Sequence, residues 1–203
     1  MHVDDCTIIA TTVCLIEELK VSLYKHVEVT DLGKLHWMLG IEVKRDRQGH
    51  TMHLLQYAYI DSILHHYHLS DLKPLMMLMD HQVRLSTNHA PSSVVECVIM
   101  CDIPYCEAVS ALNWAALAMH PDIAFAVAMV ARFVANPGPI HWEAVKQIFC
   151  YLSGMCDLWL TYSKASKPLE GYADADGSMA EDQCAISGYA FLINGSAVSW
   201  SSK

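Results

Sequence analysis

The chain has 203 residues, 53% of them hydrophobic and 17% charged, with 13 Lys and Arg against 22 Asp and Glu for a formal charge of −9. This composition excludes a disordered chain, and a compact fold of this length buries roughly 70% of its unfolded surface without needing staples. The acidity argues against a protein whose main task is to neutralise phosphates.

Ile16, Leu19 and Leu23 recur at spacings of three and four and predict a helix over 12–26, which Asp31-Leu32-Gly33 closes off. Strand-like runs over 35–44 and 51–55, joined by Arg45-Asp46-Arg47-Gln48-Gly49-His50, predict a hairpin. A helix is expected over 57–67, with Ile60, Leu64 and Tyr67 on one face. Periodicity is weak over 70–102, where Asn, Ser and Pro recur, so that stretch is expected to be mostly loop. Three helices follow, over 105–119, 122–135 and 141–153. Pro121 suits the first turn of the second, Asn136-Pro137-Gly138-Pro139 stops it, and the third is expected to bury Trp142, Val145, Phe149 and Leu152. After a polar link over 163–167 the pattern turns to strands, over 169–174, 186–193 and 197–201, with Asn194-Gly195 marking a type I′ hairpin turn. Ending at Lys203 would leave that last sheet with an open edge and an uncovered face, and the end is expected to be a truncation.

Met1-His2-Val3-Asp4-Asp5 lacks the positive start of a secretory signal. The longest apolar region, 108–134, is cut by His120-Pro121-Asp122 and by Arg132, short of the roughly 20 residues that span a bilayer. An intracellular location with no membrane contact is the expectation. The eight cysteines show no CxxC pair, which favours reduced thiols. His65-His66-Tyr67-His68 and Cys97, Cys101 and Cys106 are the densest ligand clusters, and neither has the paired spacing of a structural zinc site.

Several short boxes, in order, carry a resemblance to the Pol polyproteins of copia-type retrotransposons. His2-Val3-Asp4-Asp5 resembles the family's YVDD box, with His in place of Tyr. Asp31-Leu32-Gly33 with Met38-Leu39-Gly40-Ile41-Glu42-Val43 resembles DLG…FLGIEI, and Gln56-Tyr57 with Tyr59-Ile60 resembles the QxxYI opening of the thumb. Pro104-Tyr105-Cys106-Glu107-Ala108-Val109, His120-Pro121-Asp122-Ile123-Ala124-Phe125, Asn136-Pro137-Gly138 with His141-Trp142, and Tyr151-Leu152-Ser153-Gly154 are similar to PYREAV, RPDIAF, NPGxxHW and RYLKG. Gly171-Tyr172-Ala173-Asp174-Ala175-Asp176 resembles GYSDAD, and Ser187-Gly188-Tyr189 with 197–203 resembles SGY…AVSWSSK. Any one box is weak; the series, spanning the whole chain, is specific.

The resemblance implies an α/β (α+β) chain in three pieces: a partial reverse-transcriptase palm over 1–55, a mainly helical thumb and connection over 56–162, and an incomplete RNase H-like sheet over 168–203. It assigns Asp4 and Asp5 to the polymerase metal turn, Met38, Leu39 and Gly40 to a strand forming the primer grip, and Asp174 to the first RNase H carboxylate. The implied cofactor is Mg²⁺, since both reactions use two ions about 3.5–4 Å apart, and the implied partner is an RNA/DNA template-primer duplex. Further acids of each catalytic set have no counterpart among these residues, so the polypeptide alone is expected to be inactive. The alternative is a non-catalytic nucleic-acid-binding or scaffold protein domesticated from such an element. Where the family commonly carries Arg, this chain has Cys106, His120, Gln147, Cys150, Cys156, Gln183 and Cys184; restoring them brings the charge to about −2. Deamination of methylated CG in Arg codons produces such changes, and the implied consequence is weaker hold on a duplex.

Overall fold

The computed structural model describes residues 6–80, 82–164, 167–176 and 186–202. Helix α1 (Val13–Tyr24) forms where expected but buries no residue: Ile16 and Leu23 are half-buried, while Leu19 is 45% exposed and Lys20 takes its place on the inner side. The reason is electrostatic, because Lys20 Nζ reaches Asp31 at 2.9 Å and Glu17 at 3.3 Å. Asp31 also accepts the Gly33 N–H at 2.9 Å, with Gly33 at φ +78, so the Asp31-Leu32-Gly33 box is a turn strapped to α1.

The expected strand over 35–44 is two strands. β1 (Trp37–Met38) and β2 (Ile41–Asp46) pair antiparallel around a two-residue turn, Leu39-Gly40. Unbroken hydrophobicity hides such a turn, because Leu is an unusual residue in the left-handed region. β3 (Thr51–Leu55) pairs with β2, with Asp46 opposite Thr51, which makes the hairpin predicted between the runs over 35–44 and 51–55. Its tip is held by the Asp46 carboxylate, which accepts the Gln48 N–H at 2.9 Å.

α2 (Tyr57–His66) buries Ile60, Ile63 and Leu64. The stretch expected to be mostly loop contains a 3₁₀ turn, Thr87–His89, and helix α3 (Val94–Cys101). Ser93 and Glu96 form a capping box at the start of α3, the Ser93 hydroxyl accepting the Glu96 N–H at 3.2 Å; that Ser-x-x-Glu signal was present in the sequence. α4 (Tyr105–Ala118) follows, then a 3₁₀ turn with Pro121 at its start, α5 (Ala124–Ala131) and α6 (Pro139–Met155). α5 ends four residues earlier than expected. In α6, Val145, Phe149 and Leu152 are buried while Trp142 is half-buried. The core is the junction of α2, α4, α5 and α6, built on Ile60, Leu112, Ile123, Val127, Val130, Ile148, Phe149 and Leu152, none more than 1% exposed. At roughly 1.5–3 kcal/mol for each such side chain, these helices dominate the stability.

After α6 the chain returns to the first sheet. β4 (Leu160–Ser163) pairs antiparallel with β3, completing the order β1-β2-β3-β4. Four residues are too few for alternation to stand out, which is why no strand was expected there. A second antiparallel sheet contains β5 (Glu170–Asp176), β6 (Ile186–Ile193) and β7 (Ser196–Ser202) in that order. Asn194 (φ +55) and Gly195 (φ +84) make the expected turn. This sheet docks through side chains. Trp200 Nε1 donates to the Ala116 carbonyl at 2.7 Å, the Tyr162 hydroxyl to that of Ala197, and Asn194 Nδ2 to that of Ser163 at 3.0 Å. The Ser196 hydroxyl bonds the Thr161 carbonyl, so alternate carbonyls on the outer edge of β4 are covered by the β6–β7 turn. No helix among the described residues is long and apolar enough to cross a membrane.

Candidate nucleic-acid interface

Met38, Leu39 and Gly40 lie at the β1–β2 turn, not within one continuous strand. Leu39 has φ +53 and Gly40 φ +80, the pair of positive values that a two-residue type I′ turn requires. Glycine adopts this freely, but a leucine there costs roughly 1–2 kcal/mol. All three residues are half-buried. The turn rests on α2: a Cβ built on Gly40 would lie 3.7 Å from Tyr59 Cβ. Tyr59 in turn donates its hydroxyl to the Ala111 carbonyl of α4 at 3.0 Å, and burial pushes its phenol up to about 12, so it stays a donor. On the other side the Thr7 hydroxyl reaches Met38 Sδ at 3.1 Å. The resemblance supplied the turn residues; Tyr59, which fixes the turn to the helical core, was named only as part of the QxxYI box.

Asp174 is exposed near the end of β5, paired opposite Gly188, in a shallow open concavity bounded by Ala173, Ala175, Ser187 and Tyr189. Its carboxylate accepts the N–H of Ala175 at 2.8 Å. Asp4 and Asp5 lie outside the described residues, as do Gln183 and Cys184. Among the described residues no three His, Cys, Asp or Glu side chains converge as metal ligands.

The remaining boxes act inside the fold. Tyr105 is 2% exposed and its hydroxyl donates to the Val130 carbonyl at 2.8 Å, tying α4 to the last turn of α5; burial holds its phenol well above the usual range. His120 is buried beside Asp122, with Nδ1 3.5 Å from the carboxylate. Burial pushes the Asp122 carboxyl up, but hydrogen bonds from His120 and Tyr151 outweigh it, and the group sits below the usual range. His141 is fully buried: Nδ1 accepts the Gly138 N–H at 2.8 Å, capping α6, and Nε2 donates to the Ser86 carbonyl at 3.1 Å. Its ring stacks on Phe133 with centroids 4.1 Å apart, and burial lowers its pKa. Gly171 has no side chain because the Phe191 ring lies over it, 2.8 Å from where a Cβ would stand. Most of the series thus encodes internal ties, and the half-buried Leu39-Gly40 turn and exposed Asp174 are what remains for function.

The positions where Arg was expected divide in the same way. Cys106 is exposed, but His120 and Cys150 are buried, Cys156 is half-buried and Gln147 donates to the Met77 carbonyl at 3.2 Å. An Arg at position 120 would face Asp122 and Tyr151, so restoring it would add an internal pair and not a phosphate contact.

Comparison with known proteins agrees with the series of boxes. Residues 1–80 match the reverse transcriptase (RNA-dependent DNA polymerase) family. The chain is 36% identical over 204 residues, its whole length, to the Retrovirus-related Pol polyprotein from transposon TNT 1-94 of Nicotiana tabacum, of which it covers 15%. It is 29% identical over 205 residues to the Retrovirus-related Pol polyprotein from transposon RE2 of Arabidopsis thaliana, covering 14% of that protein. The Secreted RxLR effector protein 161 of Plasmopara viticola is 38% identical over 106 residues, 51% of this chain and 75% of that one. The chain therefore spans about one-seventh of the two polyproteins. No solved structure matches it.

Proposed function

The chain belongs to the reverse-transcriptase family of retrotransposon Pol polyproteins, and on that premise we propose that it is the stretch from the end of the palm (1–55) through thumb and connection (56–162) into an RNase H-like sheet (168–203). The ancestral activity is RNA-directed DNA synthesis with removal of the RNA strand. The partner is an RNA/DNA template-primer duplex, gripped at Met38-Leu39-Gly40. One observation carries this reading: a leucine is held at φ +53 in a turn braced on α2, at the position where the family resemblance assigns the grip. Strain of this kind persists where the surrounding structure enforces it, and a rigid tip suits a surface that must hold a primer terminus in one place.

Asp4, Asp5 and Asp174 are the family's catalytic and metal-binding positions. Mg²⁺, when bound in a complete site, would stabilise the attacking and leaving oxygens of phosphoryl transfer. We propose that these 203 residues alone neither extend a primer nor cut the RNA of a hybrid, because the further acids that the resemblance requires for each catalytic set have no counterpart among them. The purified chain, incubated with a primed RNA template, nucleotides and Mg²⁺, is expected to leave the primer unextended; extension would overturn that reading.

A further inference from the structure

Positive charge is unevenly spread over this acidic chain. Lys20 is tied to Asp31 and Glu17, Lys146 to Glu143, and Lys44 to Glu42 at 3.1 Å. At the far end of the β2–β3 hairpin, Arg45 and Arg47 are exposed and make no ion pair among the described residues. The nearest acid in sequence, Asp46, is occupied with the backbone N–H groups of Gly49 and Gln48, which hold its carboxyl below the usual range. Lys164 joins them from just past β4: its N–H donates to the His50 carbonyl at 3.0 Å, carrying the β3–β4 ladder to the hairpin tip, and its side chain is exposed without an ion pair among the described residues. Beside this end, Lys44 Nζ lies 4.5 Å from the centre of the Trp159 ring, which His53 meets edge-on at 5.7 Å. His53 Nδ1 is also 3.0 Å from the Thr161 hydroxyl. The sheet therefore ends in cations that have no ion-pair partner among the described residues, on a stiffened base.

We propose that Arg45, Arg47 and Lys164 form a second contact for the phosphate backbone of the same duplex, which deepens and rests on the template-primer reading above. The spacing supports it. Arg45 stands five residue steps along β2 from Gly40, about 17 Å at the usual rise of a strand. One strand of a duplex advances about 3.4 Å per base pair, so a duplex seated on the turn and running along β2 brings its backbone over the cations about five base pairs away. These side chains set orientation and read no sequence.

The test is the salt dependence of binding by the full chain, measured by anisotropy of a short fluorescein-labelled RNA–DNA hybrid. Each phosphate contact contributes about 0.9 to the slope of log K against log salt, so Arg45→Gln/Arg47→Gln/Lys164→Gln is expected to reduce its magnitude by about 2.7. The control Lys25→Gln/Lys73→Gln/Arg84→Gln removes equal charge from exposed positions elsewhere and is expected to leave the slope as it was. Far-UV circular dichroism checks that both variants fold. An unchanged slope in the hairpin variant, or an equal fall in both, overturns the inference while leaving the template-primer reading intact. No binding of the hybrid by the unaltered chain overturns the template-primer reading, and this inference with it.

Discussion

Gly138→Ala tests the claim that the Asn136-Pro137-Gly138…His141-Trp142 box is a structural joint. Gly138 has φ −108 and ψ 177, extended backbone open to any residue, so its requirement is space and not conformation. A methyl there would stand 1.8 Å from the His89 carbonyl oxygen and 2.9 Å from its carbon. Both are backbone atoms, so either the 3₁₀ turn Thr87–His89 or the start of α6 must move. Movement pulls the Gly138 N–H from His141 Nδ1 and draws His141 Nε2 from the Ser86 carbonyl, now bonded at 2.8 and 3.1 Å. Overpacking costs roughly 1–3 kcal/mol and each of the two strained hydrogen bonds about 1, for a loss of about 3–5 kcal/mol. For a chain of this size that lowers Tm by roughly 6–20 °C. Urea and thermal denaturation followed by far-UV circular dichroism measure both. Gly188→Ala is the control, because its methyl meets only the Ser201 carbonyl at an ordinary 3.5 Å. A loss below about 1 kcal/mol at Gly138, or one no larger than at Gly188, refutes the reasoning.

Because His141 is buried with a lowered pKa, the unfolded chain takes up its proton first. Stability should be full above about pH 6.5 and fall as pH drops below it, by up to about 1.4 kcal/mol per unit until the folded group titrates. The difference between wild type and His141→Gln in urea midpoints across pH isolates that slope, and its absence would contradict the burial argument. Trp200→Phe removes the bond to the Ala116 carbonyl and should cost roughly 0.5–1.5 kcal/mol, speeding amide exchange in β5–β7 while leaving the α4–α6 core protected. Leu39→Asn relieves about 1–2 kcal/mol of left-handed strain, which offsets the lost burial of a half-exposed leucine. The urea midpoint should hold or rise while hybrid affinity falls, and a clear loss of stability would show that no strain is stored there.

Much of the helical core could be read in advance because its signals are local. Ile60 and Leu64 on α2, Val145, Phe149 and Leu152 on α6, and Asn194-Gly195 between β6 and β7 each obey a short-range period or turn rule. Departures arose where a long-range contact decides. β4 is a strand because β3 offers it an edge about a hundred residues upstream, and Leu39 sits in a turn that its own propensity disfavours. Lys20 replaces Leu19 on the inner side of α1 because Asp31 waits there. The α3 capping box was local, but irregular composition around it masked the signal. At the site, residue names came from the family series; bracing by Tyr59 and the separation of internal ties from exposed groups needed coordinates.

We propose that this member of the reverse-transcriptase family grips a duplex at the Leu39-Gly40 turn without a working pair of magnesium sites. Titration of the purified chain, bound to a hybrid, with Mn²⁺ followed by electron paramagnetic resonance reads those sites without requiring turnover. The free-ion signal should stay undiminished relative to the hybrid alone. Stoichiometric loss of that signal, reversed by substituting Asp4, Asp5 or Asp174 with Asn, would contradict the account.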